Sequence, residues 1–377
     1  MKKLNIDSYK GQYIFELVDS ESQIINHLKS YEQLDLVIMD RKIKINFPNF
    51  YNSLDYPIEL VDIKEKTKSI HSLPAILEKF TSYSLNKKSY ICVVGGATLQ
   101  DLIATACNLY HRGISWLFIP TTGISQGDSC IGSKTSLDGE NSKNQFGVFH
   151  PPKHIYVCKE FLYSLDEVEI ISGLGDIIHY LMPYELVNKY LDNILRFLDN
   201  KKEMISLSYE LSFYSMEIKS NMVGIDEFDV NLRNIFNFGH SFGHAIEKSS
   251  DTYIPHGIAV LIGMYMAIEI SLQGKILPKN FKNQSIQLEK IINKIIEIYF
   301  FKGFSIKKNK FKSKLSQDKK NSKKDMARLI LPVSLENSIW NYPNFKSLYG
   351  LNLMDISLDK CMDKLLFLEN LEGIKLN

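Results

Sequence analysis

No two cysteines of this 377-residue chain stand in a CxxC spacing; the five present, Cys92, Cys107, Cys130, Cys158 and Cys361, are scattered. That scatter argues against a disulfide framework and predicts reduced thiols in a cytosolic protein. Charge of one sign is also missing. With 45 Lys and Arg against 43 Asp and Glu, the net charge of +2 gives no general attraction to nucleic acid or to an anionic membrane. No uninterrupted apolar run reaches the roughly 18 residues needed to cross a bilayer. The stretch MKKLNIDSYKGQYIFELVDS lacks the apolar core of a signal peptide, so none is expected. No internal repeat is evident. What remains is 45% hydrophobic and 23% charged residues, over a length sufficient for two cores. The expectation is a soluble, cytoplasmic, two-domain protein.

In the first half, short β-rich runs alternate with helical patterns. LDLVIMD (34–40) reads as a buried strand ending in Asp40, and SLPAILEKFTSYSL (72–85) has helical spacing. YICVVGGATLQDLIATACNLYHRG (90–113) reads as strand, glycine turn and helix, and WLFIPTT (116–122) as a further strand. This alternation predicts βαβ units and a parallel sheet, whose ligands sit at the carboxyl ends of strands. Asp40, Gly95, Gly96, Thr121 and Thr122 fall at such ends. Beyond about residue 167 long periodic segments dominate: 166–198, PHGIAVLIGMYMAIEISL and LEKIINKIIEIYFFKGF. They predict a mainly helical second domain, with the boundary at 167/168.

Five stretches could carry chemistry. In VVGGATLQD a strand, two glycines and a helix start offer backbone N–H groups to a phosphate. The full GxGxxG fingerprint is absent, and a plain tight turn accounts for the stretch equally well. TTGISQGDSCIGSKTS (121–136) and NSKNQFGVFHPP (141–152) are polar enough to be surface loops or active-site loops. The basic run KGFSIKKNKFKSKLSQDKKNSKKD (302–325) reads as a solvated face or loop, although a lysine of DKK could reach an anionic substrate.

The fifth stretch, NFGHSFGHAIEKSSDTYIPHG, packs His240, His244 and His256 into residues 237–257 of a chain with nine histidines. His240 and His244, four apart, share a helix face and form the natural pair by spacing. That spacing leaves metal binding and coincidence about equally open. The Glu of HExxH is absent, which disfavours zincin-type proteolysis.

Eight segments, in order, resemble the 3-dehydroquinate synthase family of sugar phosphate cyclases. They are EKTKS, GGATLQD, HRGI, PTTGISQGDSCIGSKTS, KNQFGVFHPP, GLGDIIHY, LRNIFNFGHSFGHAIE and HGIAV. The resemblance runs from about residue 34 to about 335. It implies a Rossmann-like NAD-binding α/β domain with a parallel sheet, followed by a mainly α-helical metal-binding domain. NAD would be held by Asp40, Glu65, Lys68, Gly95, Gly96, Ala97, Thr98, Asp101, Thr121, Thr122, Lys134, Lys143 and the stretch Phe161, Leu162, Tyr163 and Ser164. A divalent metal, zinc or cobalt, would be held by Asp176, His240 and His256, which leaves His244 for substrate and catalysis. Arg112, Asn144, Asn237 and Lys319 or Lys320 would hold a substrate phosphate. Lys219 and Arg233 would face its carboxylate, and Asp128 and Lys134 would line the ring-forming pocket. A homodimer is expected, with a small sugar-acid phosphate as substrate and neither nucleic acid nor membrane as partner.

The implied reaction converts 3-deoxy-arabino-heptulosonate 7-phosphate to 3-dehydroquinate and phosphate, a lyase step. Several residues depart from the family pattern. Asp176 replaces Glu, His179 stands at the position of a catalytic lysine, and Asp229 replaces Glu. Ala97, Gly127, Ser133, Asp138 and Ile258 also differ. These changes keep two alternatives open: a divergent cyclase acting on another heptulose or ketose phosphate, and a catalytically silent homologue.

Overall fold

The structure is a computed structural model. It describes every residue except Met1, Glu65, Lys66, Asn141, Ser142, 278–281, Lys319, Lys320 and Ser322. The chain divides into two compact units, Met1–Leu165 with Tyr209–Phe228, and Asp166–Ser208 with Asp229–Asn377.

In the first unit the order is β1 (Lys3–Ile6), β2 (Tyr13–Val18), α1 (Glu21–Lys29), β3 (Leu34–Asp40), α2 (Arg41–Asn46), α3 (Pro48–Asn52), β4 (Ile58–Val61) and α4 (Leu73–Ser82). There follow β5 (Tyr90–Gly95), α5 (Ala97–Leu109), β6 (Ser115–Pro120), β7 (Lys134–Leu137), β8 (Phe146–Phe149) and β9 (His154–Cys158). Seven strands form one sheet in the order β1-β2-β9-β6-β5-β3-β4. Only β1 with β2 is antiparallel.

The apolar runs are continuous because helices cover both faces of this sheet. Leu36, Ile38, Ile91, Val93, Trp116 and Phe118 enter one core layer. Their neighbours Val37, Met39, Cys92, Val94, Leu117 and Ile119 enter the other. All five cysteines are free and buried. Because β5 lies between β3 and β6, the carboxyl ends that carry Asp40, Gly95 and Pro120 stand side by side.

Two expectations are corrected in this unit. A single boundary at 167/168 misses the return of Tyr209–Phe228, most of which lies in helix α8 (Lys201–Ile225). Met216 and Val223 of that helix are buried in the sheet's own core layer, which fixes the segment there. The polar stretches expected as loops contain a π-helical turn, Ser125–Ser129, and a hairpin of β7 with β8. Thr135 and Leu137 are buried between exposed or half-buried neighbours, so the period-2 pattern was present beneath the polarity.

The second unit holds α6 (Glu167–Leu181), α7 (Leu186–Phe197), the start of α8, α9 (His240–Ser249), α10 (His256–Gln273), α11 (Lys282–Tyr299), β10 (Phe304–Ile306), α12 (Lys308–Ser316), β11 (Met326–Val333), β12 (Gly350–Ser357), α13 (Leu358–Phe367) and β13 (Ile374–Leu376). Helix α10 lies at its centre, packed on α6, α9 and α11. By length and composition α10 would pass for a membrane span, but 78% of it is buried within the protein, as a core helix is.

Part of the basic run, expected as a solvated face or loop, forms the helix α12 and presents such a face. In α12 the lysines surround Phe311 and Leu315, which are buried, and Phe311 stacks on Phe242 of α9. The segment expected to continue α11 to residue 304 stops at Tyr299, and Phe304 opens β10. The unit also carries two small sheets, β10 with β13 and β11 with β12.

Candidate metal centre and cofactor-binding elements

The centre in the second unit depends on glycines that let helices touch. A Cβ at Gly257 in α10 would lie 1.7 Å from the Ser172 carbonyl oxygen of α6. A Cβ at Gly175 would lie 2.2 Å from the Gly257 carbonyl oxygen. The Gly257 N–H donates to Ser172 Oγ at 2.9 Å. This contact brings Asp176, one residue after Gly175, up to His256, the first residue of α10. Gly239, at φ +80, turns the chain into α9 and makes His240 that helix's first residue.

Asp176 is 1% exposed. Its Oδ1 lies 3.5 Å from His256 Nε2 and 3.9 Å from His240 Nε2. Two atoms each about 2.1 Å from one tetrahedral ion are themselves roughly 3.4 Å apart, so this spacing suits a shared cation better than a hydrogen bond. The opposite ring nitrogens agree. His240 Nδ1 is 3.2 Å from the Phe238 carbonyl oxygen, and His256 Nδ1 is 3.2 Å from Glu247 Oε1. Both partners accept, so each Nδ1 carries the proton and a neutral ring keeps its lone pair on Nε2. A buried carboxylate and two imidazoles with fixed tautomers are a fitting donor set for a divalent cation.

Two neighbouring groups extend the centre. Asp176, His179 and His240 offer ligand atoms all within 4.8 Å of one another, as do His244, Glu247 and His256. The spacing of His240 and His244 holds on α9, with ring centroids 5.8 Å apart. Asp176 nevertheless faces His240 and His256, the pair the resemblance implied. Arg233, 8% exposed, and Asn237 share the 3-10 turn Leu232–Asn237 just before α9. Asn237 Nδ2 donates to the Asn234 carbonyl oxygen.

In the first unit the expected cofactor residues gather at the carboxyl ends of β3, β5 and β6. Gly96 caps α5 without a side-chain hydrogen bond, and Ala97 and Thr98 form the first turn. A Cβ on Gly96 would come 3.0 Å from Thr122 Cγ2, so glycine keeps this cradle open. The Thr121 N–H donates to the Gly95 carbonyl oxygen at 3.0 Å. Asp40 accepts from the Lys42 N–H at 3.0 Å, and burial pushes its carboxyl above the usual range. An open helix N-terminus beyond a parallel strand is a fitting seat for a dinucleotide's phosphates.

Nearby, Lys68 Nζ bonds Asp101 Oδ2 at 2.7 Å and Asn144 Oδ1 at 2.8 Å. Ser136 Oγ also donates to Asn144 Oδ1, which leaves that amide's N–H groups as its donors toward an anion. Burial raises the Asp101 carboxyl, and the Lys68 cation pulls it back down. Lys219 Nζ donates to both the carbonyl oxygen and Oδ1 of Asp128, at 2.6 and 2.7 Å. Lys134, in β7, and Lys143 are exposed. Arg112, at φ +64, lines a cavity of about 290 Å³ with Lys10, His150 and Lys153.

One part of the cofactor set is corrected. Phe161 and Leu162 are fully buried; Phe161 packs edge-on to Phe47 and Phe50, so neither side chain is offered to a ligand. Tyr163 and Ser164 are exposed. Glu65, Lys319 and Lys320 lie outside the described residues.

The family models for the 3-dehydroquinate synthase N-terminal and C-terminal regions match residues 59–172 and 173–321. The chain belongs to the 3-dehydroquinate synthase family. A 3-dehydroquinate synthase from Helicobacter pylori is 33% identical over 285 residues, which cover 75% of this chain and 79% of that protein. Two solved structures share the fold. One is a 2-deoxy-scyllo-inosose synthase complexed with carbaglucose-6-phosphate, NAD+ and Co2+, with a TM-score of 0.77 at 20% identity, covering 98% of this chain and all of the other. The second is the 2-epi-5-epi-valiolone synthase of Streptomyces hygroscopicus with NAD+ and Zn2+ bound, with a TM-score of 0.76 at 17% identity, covering 95% and 97%.

Within this 3-dehydroquinate synthase family member, sequence reading missed Glu247 and the cation group around His150. Glu247 stands inside the quoted histidine segment, but its role comes from the chain doubling back from α9 to α10. No local pattern announces that. Lys10 donates to His150 Nδ1 at 2.7 Å, and His150 Nε2 donates to the Ile114 carbonyl oxygen at 2.9 Å. Burial, with the Lys10 and Lys153 cations, pushes the His150 pKa down to about 4. These residues come from three separated segments.

Proposed function

We propose that this chain is a cytoplasmic, homodimeric 3-dehydroquinate synthase, converting 3-deoxy-arabino-heptulosonate 7-phosphate to 3-dehydroquinate and phosphate. What carries the reading is the buried Asp176 facing His240 and His256, in a chain 33% identical to an enzyme of that name. When bound, a divalent cation supplies Lewis-acid polarisation of a substrate hydroxyl, and NAD supplies a reversible hydride acceptor. Asp176, His240 and His256 would hold the cation. Gly95, Gly96, Ala97, Thr98, Thr121 and Thr122 would seat the dinucleotide, with Asp40 and Asp101 beside them.

The conversion is redox-neutral overall. The hydroxyl carbon gives up a hydride to NAD, and the acidified C–H α to the new carbonyl loses its proton as phosphate leaves the β carbon. The hydride then returns, and the hemiketal ring opens to an enol and a ketone. The resulting enol then closes onto the ketone. Arg112, Asn144 and Asn237 supply donors for the phosphate, and Lys219 and Arg233 supply cations suited to a carboxylate. His244, exposed on α9, is available to move a proton at the substrate.

Purified protein with NAD+ and zinc should release inorganic phosphate from the heptulosonate phosphate. Release from sedoheptulose 7-phosphate alone would redirect the substrate to a neutral ketose phosphate. No release from either, with no metal retained, would leave a silent homologue. Light scattering on the same preparation tests the dimer.

A further inference from the structure

We infer that His179 is itself a metal ligand, so that this chain holds its divalent cation through one carboxylate, Asp176, and three imidazoles, His179, His240 and His256. The inference rests on the metal reading above and goes beyond it by changing the ligand set.

Asp176 is one methylene shorter than the glutamate it replaces, which costs a carboxylate roughly 1.5 Å of reach from its helix. A cation that keeps Asp176 as ligand is therefore drawn toward α6. Three residues on, the same helix face presents His179 instead of a lysine. Residues three apart on a helix are neighbours, and paired acidic and imidazole side chains at that spacing are a known way for a helix to grip a metal. An ammonium group has no lone pair for a cation, whereas a neutral imidazole has one. The two departures thus compensate each other: the shorter acid moves the ion inward, and the new imidazole meets it.

The geometry agrees. His179 is 2% exposed, beside Asp176 at 1%. Its ring lies 4.8 Å from that of His240, nearly perpendicular at 80°. The ligand atoms of Asp176, His179 and His240 all lie within 4.8 Å of one another, and with four protein ligands the substrate hydroxyl would take a fifth position on the ion. His240 is the common member, because its ring is also 5.2 Å from that of His256.

Zinc X-ray absorption on the intact protein counts imidazole ligands directly. The wild type should show three, and His179→Gln should show two with zinc affinity lowered at least about 10–100-fold in a chelator competition. His179→Lys, which restores the family's residue, should lose the same imidazole. Circular dichroism of each metal-free variant reports folding, and the wild-type count stands without any variant. Two imidazoles in the wild type, or an unchanged count and affinity in His179→Gln, would overturn the inference and leave the metal reading standing. A wild type that retains no zinc would overturn both.

Discussion

The two units set their carboxylates against different partners at different spacings: lysines in the first, imidazoles in the second. In the first, Lys219 and Asp128 meet at 2.7 Å, as do Lys68 and Asp101. Each charge there is closed by its neighbour. In the second unit Asp176 stands 3.5 and 3.9 Å from two imidazole nitrogens, while the opposite nitrogens of those rings are engaged at 3.2 Å. Closed pairs satisfy the charge of both partners. The wider spacing has room for an ion at its centre. Distance and chemistry together separate these ion pairs from a ligand set, because an ammonium has no lone pair for a cation and a neutral imidazole has one.

Breaking the wider set should have the largest effect. Asp176→Ala should abolish zinc retention and lower phosphate release by about a thousandfold. That corresponds to about 4 kcal/mol of lost charge stabilisation. Zinc content measured alongside turnover checks it; full activity without zinc would remove the metal from the mechanism. Next comes the contact that assembles the set. Gly257→Ala places a methyl 1.7 Å from a backbone oxygen, so α10 must move off α6, at a cost of about 3 kcal/mol and with weaker zinc binding. Gly224→Ala, where no atom lies within 4 Å, should leave stability unchanged or raise it by up to about 1 kcal/mol. Equal losses in chemical denaturation would mean that helix contact does not build the centre.

The closed pairs should respond less. Lys219→Met leaves the Asp128 carboxylate and carbonyl without their cation. Because Asp128 keeps 30% side-chain exposure, the loss should be about 2 kcal/mol, smaller than for a fully buried pair. A double-mutant cycle with Asp128→Asn isolates the pair. His150 tests acid sensitivity in the same unit. Its folded pKa of about 4 lies below its ordinary 6.5, so folding requires the neutral ring. Its contribution is complete above pH 6.5 and is lost as the pH falls toward 4. His150→Gln should flatten the denaturation midpoint across that window; an unchanged slope would show that other groups set it, and His154, also lowered to about 4, is the first to examine.

Burial decides how much of the fold is legible in the sequence. The sheet was readable because burial on both faces writes continuous apolar runs such as Leu36–Met39 in β3. The glycine turn before α5 follows directly from its strand. His240 and His256 were assigned through resemblance, and Asp176 through the same match sixty-odd residues upstream; spacing alone favoured His240 with His244. The hairpin of β7 and β8 was hidden because its exposed face is polar, and α12 because lysines outnumber its two buried anchors. The return of Tyr209–Phe228 to the first unit was hidden for another reason. A continuous helical pattern carries no mark of the residue at which its packing partners change.

The smallest expected effect is also the sharpest check on the argument from distance. Arg41 Nε and Asp62 Oδ1 are 2.7 Å apart, the same separation as Lys219 and Asp128, yet their side chains are 47% and 62% exposed. Water screens that pair and competes for both partners, so Arg41→Ala should change stability by less than about 0.5 kcal/mol. The same cycle with Asp62→Asn should yield a coupling near zero, shrinking further as salt is raised. A coupling equal to that of Lys219 with Asp128 would mean that separation alone decides the worth of a charge pair here. The expected inequality assigns the difference to burial, the property that also makes Asp176 a strong seat for a cation.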